Sequence, residues 1–392
     1  MNYITKFTQV TLISLLTLTS CKNEKVSIKE FPSSQKLKGT PLTTVKPYCP
    51  HKIMVEDSLL IIINRIGDYF FQVYDTKNMN LLVEFGNKGR GPGEFNEPTF
   101  INKKKNIEGK IYNLIYDTGS KRISYINFND FVKDKTTVIK QEKLPKKMGD
   151  PDSFVFYSDT LAITAPGDGG GGRFQLFGNE KTKTTAYIPE LPFKVHEDNY
   201  YPIYVTKSSL INIEKKKFVA TVPMLGQYDF FDFSGNLLYS SIIHRNENLK
   251  KTASSSMEVN KSVKLFYQTE LKNVGNLIYS IYYKYKSNEG SFSTTSRIHI
   301  FDWDGNLVKE YLLDKLILSF AYDDFNNCFY GIAPYEEEHQ IIKYDLENSG
   351  MLQVFDTPKQ KNQMRESSKN SNDEKYNFWN TQHSFCSYFN SH

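Results

Sequence analysis

Residues 301–313, FDWDGNLVKEYLL, read as two short strands joined by a tight turn. Phe301 ends an apolar run and Asp302 caps the turn. Gly305 supplies a positive φ, and Leu307–Leu313 resumes the apolar pattern. The signature recurs. Residues 231–243 read FDFSGNLLYSSII, residues 74–86 read YDTKNMNLLVEFG, and Tyr344-Asp345 leads through LENSG into MLQVF. Two degenerate copies lie between the first and second. One is Ile126–Phe128, followed by a polar stretch and Val138–Ile139; the other is Phe174–Phe177, followed by GNEKTKT and TAYIP.

Copies beginning near 74, 126, 174, 231, 301 and 344 give a mean spacing of about 54 residues, within the range of repeat architectures. Upstream of each lies another apolar run: Leu59–Ile63, Lys110–Tyr116, Thr160–Thr164, Lys217–Val222, Asn276–Tyr283 and Cys328–Ile332. A further strand-like piece precedes most of these, as in Lys52–Val55 and Ser153–Tyr157. About four strands per unit is the makeup of a propeller blade. One blade cannot bury both its faces, but six packed radially can, and closing the ring protects the edges. The expected fold is therefore all-β, a six-bladed β-propeller with about four antiparallel strands per blade, over residues 41–357. A segment near Leu42–Pro47 is expected to add a strand to the last blade. The competing reading is an irregular β-sandwich with chance hairpins.

Composition agrees with an all-β chain. Phe and Tyr, at 28 and 26, raise the aromatic share to 14%, and both favour pleated, half-buried surfaces. The formal charge of +5 is weakly basic for 392 residues, and no basic stripe marks a nucleic-acid partner. The runs Lys103–Lys105 and Lys215–Lys217 are expected in solvated turns. Four cysteines without CxxC spacing make neither a disulfide scaffold nor a zinc site.

Residues 1–25, MNYITKFTQVTLISLLTLTSCKNEK, carry an address. Lys6 gives a basic start, and Val10 to Thr19 forms an apolar and hydroxyl run too short to span a bilayer. Thr19 and Ser20 are small, and Cys21 offers a thiol. This resembles a bacterial lipoprotein signal, with residues 1–20 removed and Cys21 carrying a covalent lipid; the alternative is an ordinary secretory signal. Lys22, rather than Asp, leans toward the outer membrane, with periplasmic or surface-facing orientation left open. Residues 21–40 then read as a tether, and the polar stretch 358–392 as a disordered tail.

Residues 85–98, FGNKGRGPGEFNEP, fit neither a dinucleotide fingerprint nor a P-loop, because Pro92 and Pro98 oppose a following helix and no Gly-Lys-Ser/Thr is present. They fit a crossover between blades. Gly86, Gly89 and Gly93 permit tight turns, Phe95 buries between blades, and Pro98 starts an inner strand. These positions resemble the NHL-type propeller repeat. With the lipoprotein signal and the six units, the string GRGPGEF resembles the TolB-like six-bladed β-propeller lipoproteins. That resemblance implies a propeller in the cell envelope and carries over no catalytic residue.

Candidate binding residues are few. Arg90 and Glu94 lie in the glycine-rich crossover, where they either meet a ligand or form an ion pair. Arg173 follows Gly167–Gly172, which reads as a backbone anion nest or a plain loop. Tyr200 and Tyr201 read as an exposed aromatic contact or as packing. HExxH and GxSxG are absent, no cofactor is implied, and Glu336–His339 reads as a solvated loop. His299 belongs in the outer part of a blade. The function expected is a lipid-anchored binding or scaffold module for an envelope protein, glycan or small molecule. The alternative is a propeller enzyme, a metal-dependent lyase or hydrolase with an axial site. A sensor subunit for a neighbouring transporter is a third reading.

Overall fold

The computed structural model describes residues 30–346, apart from 135–139, 144–150, 157–161, 167–172, 178–181, 186–193, 205, 207, 244–248, 250–252, 255–264, 287–290 and 335–339. Cys21, Gly167–Gly172, Glu336–His339 and the tail from 358 therefore lie outside the described residues.

Runs of five to ten residues, most of them rich in branched and aromatic side chains, form the second strand of each sheet. Leu59–Asn64 and Cys328–Ile332 are buried along their whole length. Such strands are covered on both sides, and six sheets packed around an axis provide that cover. Blade 1 comprises Pro50–Glu56, Leu59–Asn64, Tyr69–Asp75 and Leu81–Asn87. Blade 2 comprises Pro98–Ile107, Lys110–Asp117, Arg122–Ile126 and Lys140–Lys143. Blade 3 comprises Pro151–Phe156, Ala162–Pro166, Phe174–Phe177 and Thr182–Thr185. Blade 4 comprises Ser209–Asn212, Lys217–Val222, Gln227–Asp232 and Leu237–Ile242. Blade 5 is built on Leu265–Val274, Leu277–Lys286, Arg297–Asp302 and Leu307–Leu313, and blade 6 on Ser319–Asp323, Cys328–Ile332 and Ile341–Asp345. The first strand of each is innermost, and Ser319–Asp323 packs against Pro50–Glu56 to close the circle.

The core is a set of interblade seams. Phe71, Phe85 and Phe95 meet Phe128 and Phe131 between blades 1 and 2. Phe174 meets Phe218 and Phe231 between blades 3 and 4, with Phe218 and Phe231 stacked at 4.8 Å. Trp303, fully buried, joins Tyr228 and Phe230 between blades 4 and 5. Tyr330 and Ile332 of blade 6 meet Leu60 and Ile62 of blade 1.

The hairpin signature works as written. Asp302 accepts from the N–H groups of Asp304 at 2.8 Å and Asn306 at 2.9 Å. Asp232 does the same for Ser234 and Asn236, at 2.8 and 2.9 Å. Gly305 and Gly235 sit at φ of 73° and 81°, a region that suits glycine. A bulge recurs beside each turn, at Phe230/Phe231 and at Ile300/Phe301.

Closure follows the expected route, displaced by a few residues: the Leu42 N–H donates to the Ile341 carbonyl at 2.9 Å. Thr40–Pro41, just ahead of the expected segment, pairs with Ile341–Asp345 and supplies the fourth strand of blade 6. The hairpin expected from Tyr344-Asp345 into MLQVF runs through residues 347–355, which lie outside the described residues. Part of the expected tether is likewise structural. Ser34–Leu37 adds a parallel strand to the outer edge of blade 5. Ser34 Oγ donates to Glu310 at 3.2 Å, Lys309 donates to Gln35 at 2.7 Å, and the Gly39 N–H reaches Asp314 at 3.0 Å. Lys103–Lys105, expected in a turn, lies within the inner strand of blade 2, where Lys104 pairs with Glu56 of blade 1 at 2.5 Å. After Ile126 comes a short helix, Phe128–Lys133, capped by Asn127, before the fourth strand.

The two ends of the ring differ. Turns at one end are tight, for example 57–58, 108–109, 233–236, 275–276 and 303–306. Among the described residues, segments joining the blades, such as 88–97 and 314–318, and turns between second and third strands, such as 65–68, 118–121 and 223–226, lie at the opposite end, the loop-rich face.

Candidate functional site

The glycine-rich crossover lies on the loop-rich face and is built as a buckle. Gly86, at φ 81°, leaves no room for a Cβ, which would come 2.7 Å from the Phe71 ring. Phe95 is fully buried, edge-on to Phe71 at 5.0 Å, and Pro98 opens the inner strand of blade 2. Gly89 N–H donates to the Phe95 carbonyl at 2.9 Å, and Gly93 N–H donates to Gln141 at 3.2 Å. Glu94 folds back to accept from the Gly91 N–H at 2.7 Å, while Arg90 is exposed. Among the described residues these two form no ion pair with each other.

The cation that ties the crossover is Arg122. Its guanidinium donates to the carbonyls of Arg90, Gly91 and Glu94 at 3.0–3.1 Å and to Gln141 at 3.2 Å. Asp117, fully buried, accepts from the N–H groups of Asn96 and Glu97, the latter at 2.7 Å, and from the Ser120 hydroxyl. These hydrogen bonds within the chain tie the crossover between blades 1 and 2.

Arg173 is buried between blades 3 and 4 rather than displayed beside its loop. Nη1 lies 2.5 Å from Asp229, with both side chains at most 2% exposed. Tyr200 starts the helix Tyr200–Tyr204, is half-buried and packs with Val195, Ile203 and Tyr204. The Tyr201 side chain lies outside the described residues. His299 sits in the third strand of blade 5, buried and stacked on Tyr282 at 4.7 Å.

The inner strands bring together charge from three blades. Lys52, on the inner strand of blade 1, reaches Glu270 of blade 5 at 3.1 Å, and Lys272 reaches the same carboxylate at 2.7 Å. Ser319, the first residue of the blade 6 inner strand, lies beside it. Burial alone pushes the Glu270 carboxyl upward, but the Lys272 and Lys52 ammoniums override it and hold the group down at about 2. His51 faces the same charges. Burial first, then Arg65 and Lys52, keep its imidazole well below the usual range, so it is neutral at physiological pH, and its Nδ1 has no hydrogen-bond partner. The cluster pairs two ammoniums with one carboxylate, an excess of one positive charge suited to an anionic group. Among the described residues no three His, Cys, Asp or Glu side chains come together.

The depressed Glu270 carries a pH signature. A carboxylate whose folded pKa lies below its unfolded value stabilises the fold above the unfolded value, and that stabilisation is lost as pH falls through the folded one. Glu270→Gln is expected to cost on the order of 3 kcal/mol near neutrality. In urea unfolding the gap to wild type should hold above about pH 4.5 and close toward pH 2. A gap unchanged across that window would mean the lysines do not hold this carboxylate.

With ring, seams and charge cluster described, the family follows. The description "TolB-like 6-blade propeller-like" matches residues 30–324. The chain belongs to the TolB-like six-bladed propeller family. Its TolB-like fold is similar to the crystal structure of a DUF4221 family member from Bacteroides vulgatus, at 12% identity and a TM-score of 0.52, over 81% of this chain and 97% of that one. A putative exported protein from Bacteroides fragilis is similar at 12% identity and a TM-score of 0.45, over 79% of this chain and 98% of that one. At such identities the TolB-like likeness speaks to fold alone. No curated protein matches the chain. Among the described residues no helix is long and apolar enough to cross a membrane.

Proposed function

We propose that this TolB-like propeller is an outer-membrane lipoprotein, held by acyl chains on Cys21, that acts as a binding module with its working surface at the loop-rich channel mouth. The address rests on Thr19-Ser20-Cys21 behind a short apolar run, and on Lys22 after it. More than one acyl chain makes such anchoring stable, and confinement to the membrane raises the effective concentration of the surface toward neighbours. One observation carries the choice of surface: Lys52 and Lys272, from two different blades, converge on the single carboxylate of Glu270 and leave an excess of one positive charge. The ligand favoured is acidic, and an acidic envelope glycan is the commitment made here.

Two measurements test this. Cys21→Ser leaves the fold intact and moves the protein from the membrane to the soluble fraction; continued membrane association overturns the anchor. For the surface, a panel of uronic-acid oligosaccharides and neutral oligosaccharides is titrated into the protein by calorimetry. Acidic members bind preferentially and lose about tenfold in affinity with Lys52→Ser. Equal binding of neutral members, or indifference to that substitution, removes the mouth from the proposal.

A further inference from the structure

We infer that the tight-turn end of the propeller is a bilayer-docking face. It seats exposed apolar side chains among lipid headgroups and turns the loop-rich face away from the membrane. The inference rests on the lipid anchor proposed above.

Among the described residues seven large hydrophobic side chains are exposed, and five of them, Leu81, Ile111, Ile213, Leu238 and Phe325, lie at the tight-turn end. They come from blades 1, 2, 4 and 6. Single exposed apolar residues are ordinary on any surface; their bias to one end is not. Phe325 is 89% exposed, in the turn between the first two strands of blade 6. That turn is tied down. Asp323 accepts from the Asn326 N–H at 2.9 Å and from its amide at 2.7 Å, and the Asn327 amide donates to the Leu346 carbonyl at 3.0 Å. The turn that carries Ile213 is held in the same way. Asn212 accepts from the Lys215 N–H at 2.9 Å, and Lys217 reaches Asp304 of blade 5 at 2.6 Å. Side chains displayed on fixed turns lose little freedom when they insert.

The tether leaves from the same end. Strand Leu307–Leu313 runs away from the turn 303–306, and Ser34–Leu37 pairs parallel to it, so the chain ahead of Ser34 lies toward that turn. Phe31 packs in the cluster that holds Trp303. From Glu30 back to Cys21 is nine residues, about 30 Å when extended. Acyl chains on Cys21 therefore keep the exit point of the tether within that distance of the bilayer. Charge selects the kind of surface. The tight turns carry Lys77, Lys215 and Lys216 against Asp57, Glu108, Glu214, Asp304 and Asp324. They lack the basic excess that draws a protein to anionic lipid, so the partner is a zwitterionic surface entered by apolar side chains.

The test holds the mature chain on phosphatidylcholine vesicles through an N-terminal hexahistidine tag, in place of Cys21, and a nickel-chelating lipid. It does not depend on native acylation, so its failure and that of the Cys21→Ser test are separate results. In a Trp379→Phe background, lipids brominated near the headgroup should quench Phe325→Trp about threefold more strongly than Ile66→Trp on the loop-rich face. With vesicles in large excess, the untagged Cys21→Ser chain should partition weakly, and adding Ile213→Ser with Phe325→Ser should lower that partition about tenfold or more. Both side chains are exposed, so the unfolding midpoint should stay at the wild-type value. Equal quenching at 325 and 66, partition indifferent to the two serines, or partition that needs phosphatidylglycerol overturns the proposal.

Discussion

Asp117→Ala should unfold at a temperature roughly 5–10 °C below wild type, a loss of about 3–5 kcal/mol. The carboxylate is fully buried and accepts from the N–H groups of Asn96 and Glu97 and from the Ser120 hydroxyl. Truncation leaves these partly buried donors without their acceptor. It also deprives Arg122, 4.0 Å away, of its nearest carboxylate, and Arg122 holds three carbonyls of the crossover. The comparison that isolates the cause is Arg90→Ala. Arg90 offers the buckle only its backbone carbonyl, so this change should fall within about 0.5 kcal/mol of wild type. Similar melting temperatures for the two variants would show that the buckle does not hold blades 1 and 2 together.

A chain shortened to begin at Thr43 should lose about 5–8 kcal/mol and self-associate more than the full chain. Removing Ser34–Leu37 and Thr40–Pro41 uncovers the outer edges of blades 5 and 6 together. Lost with them are the ladder bonds, the contacts to Glu310, Lys309 and Asp314, and the burial of Leu37. Exposed edges with open N–H and C=O groups pair with other copies. Urea denaturation and light scattering after size exclusion read both effects. An unchanged urea midpoint, with the same size in solution as the full chain, would mean that the ring is sealed without this segment.

What the sequence made legible was local. The turn at Asp302 is written within five residues, because its donors and acceptor are neighbours, and the same grammar at Asp232 reports blade 4 as clearly as blade 5. Second strands such as Lys217–Val222 and Cys328–Ile332 were readable to the residue, since burial on both faces leaves an unbroken apolar run. Closure was harder. Both Tyr344-Asp345-…-MLQVF and a segment near Leu42 could claim one edge, and only pairing across the whole chain decides in favour of Thr40–Pro41.

The candidate sites were illegible for the same reason. Lys52 and Glu270 are 218 residues apart, and neither lies in a motif. Arg122 reads as one more residue of a turn, DTGSKR, yet it does the work assigned to Arg90 and Glu94. Arg173 was flagged for the glycines before it, but its setting comes from Asp229, Phe231 and Tyr204, which sequence spacing cannot bring together.

The seam at blades 5 and 6 also dictates an order of events. Ser34–Pro41 is synthesised first among the paired strands, and its partners at Leu307–Leu313 and Ile341–Asp345 emerge last. The nascent polypeptide must therefore keep its earliest strands uncommitted until nearly everything else exists. A pairing separated by this much chain makes the final docking slow to reach. Interactions that form only at that last step act chiefly on the rate of opening, so seam residues are where this propeller's lifetime, more than its speed of assembly, is set.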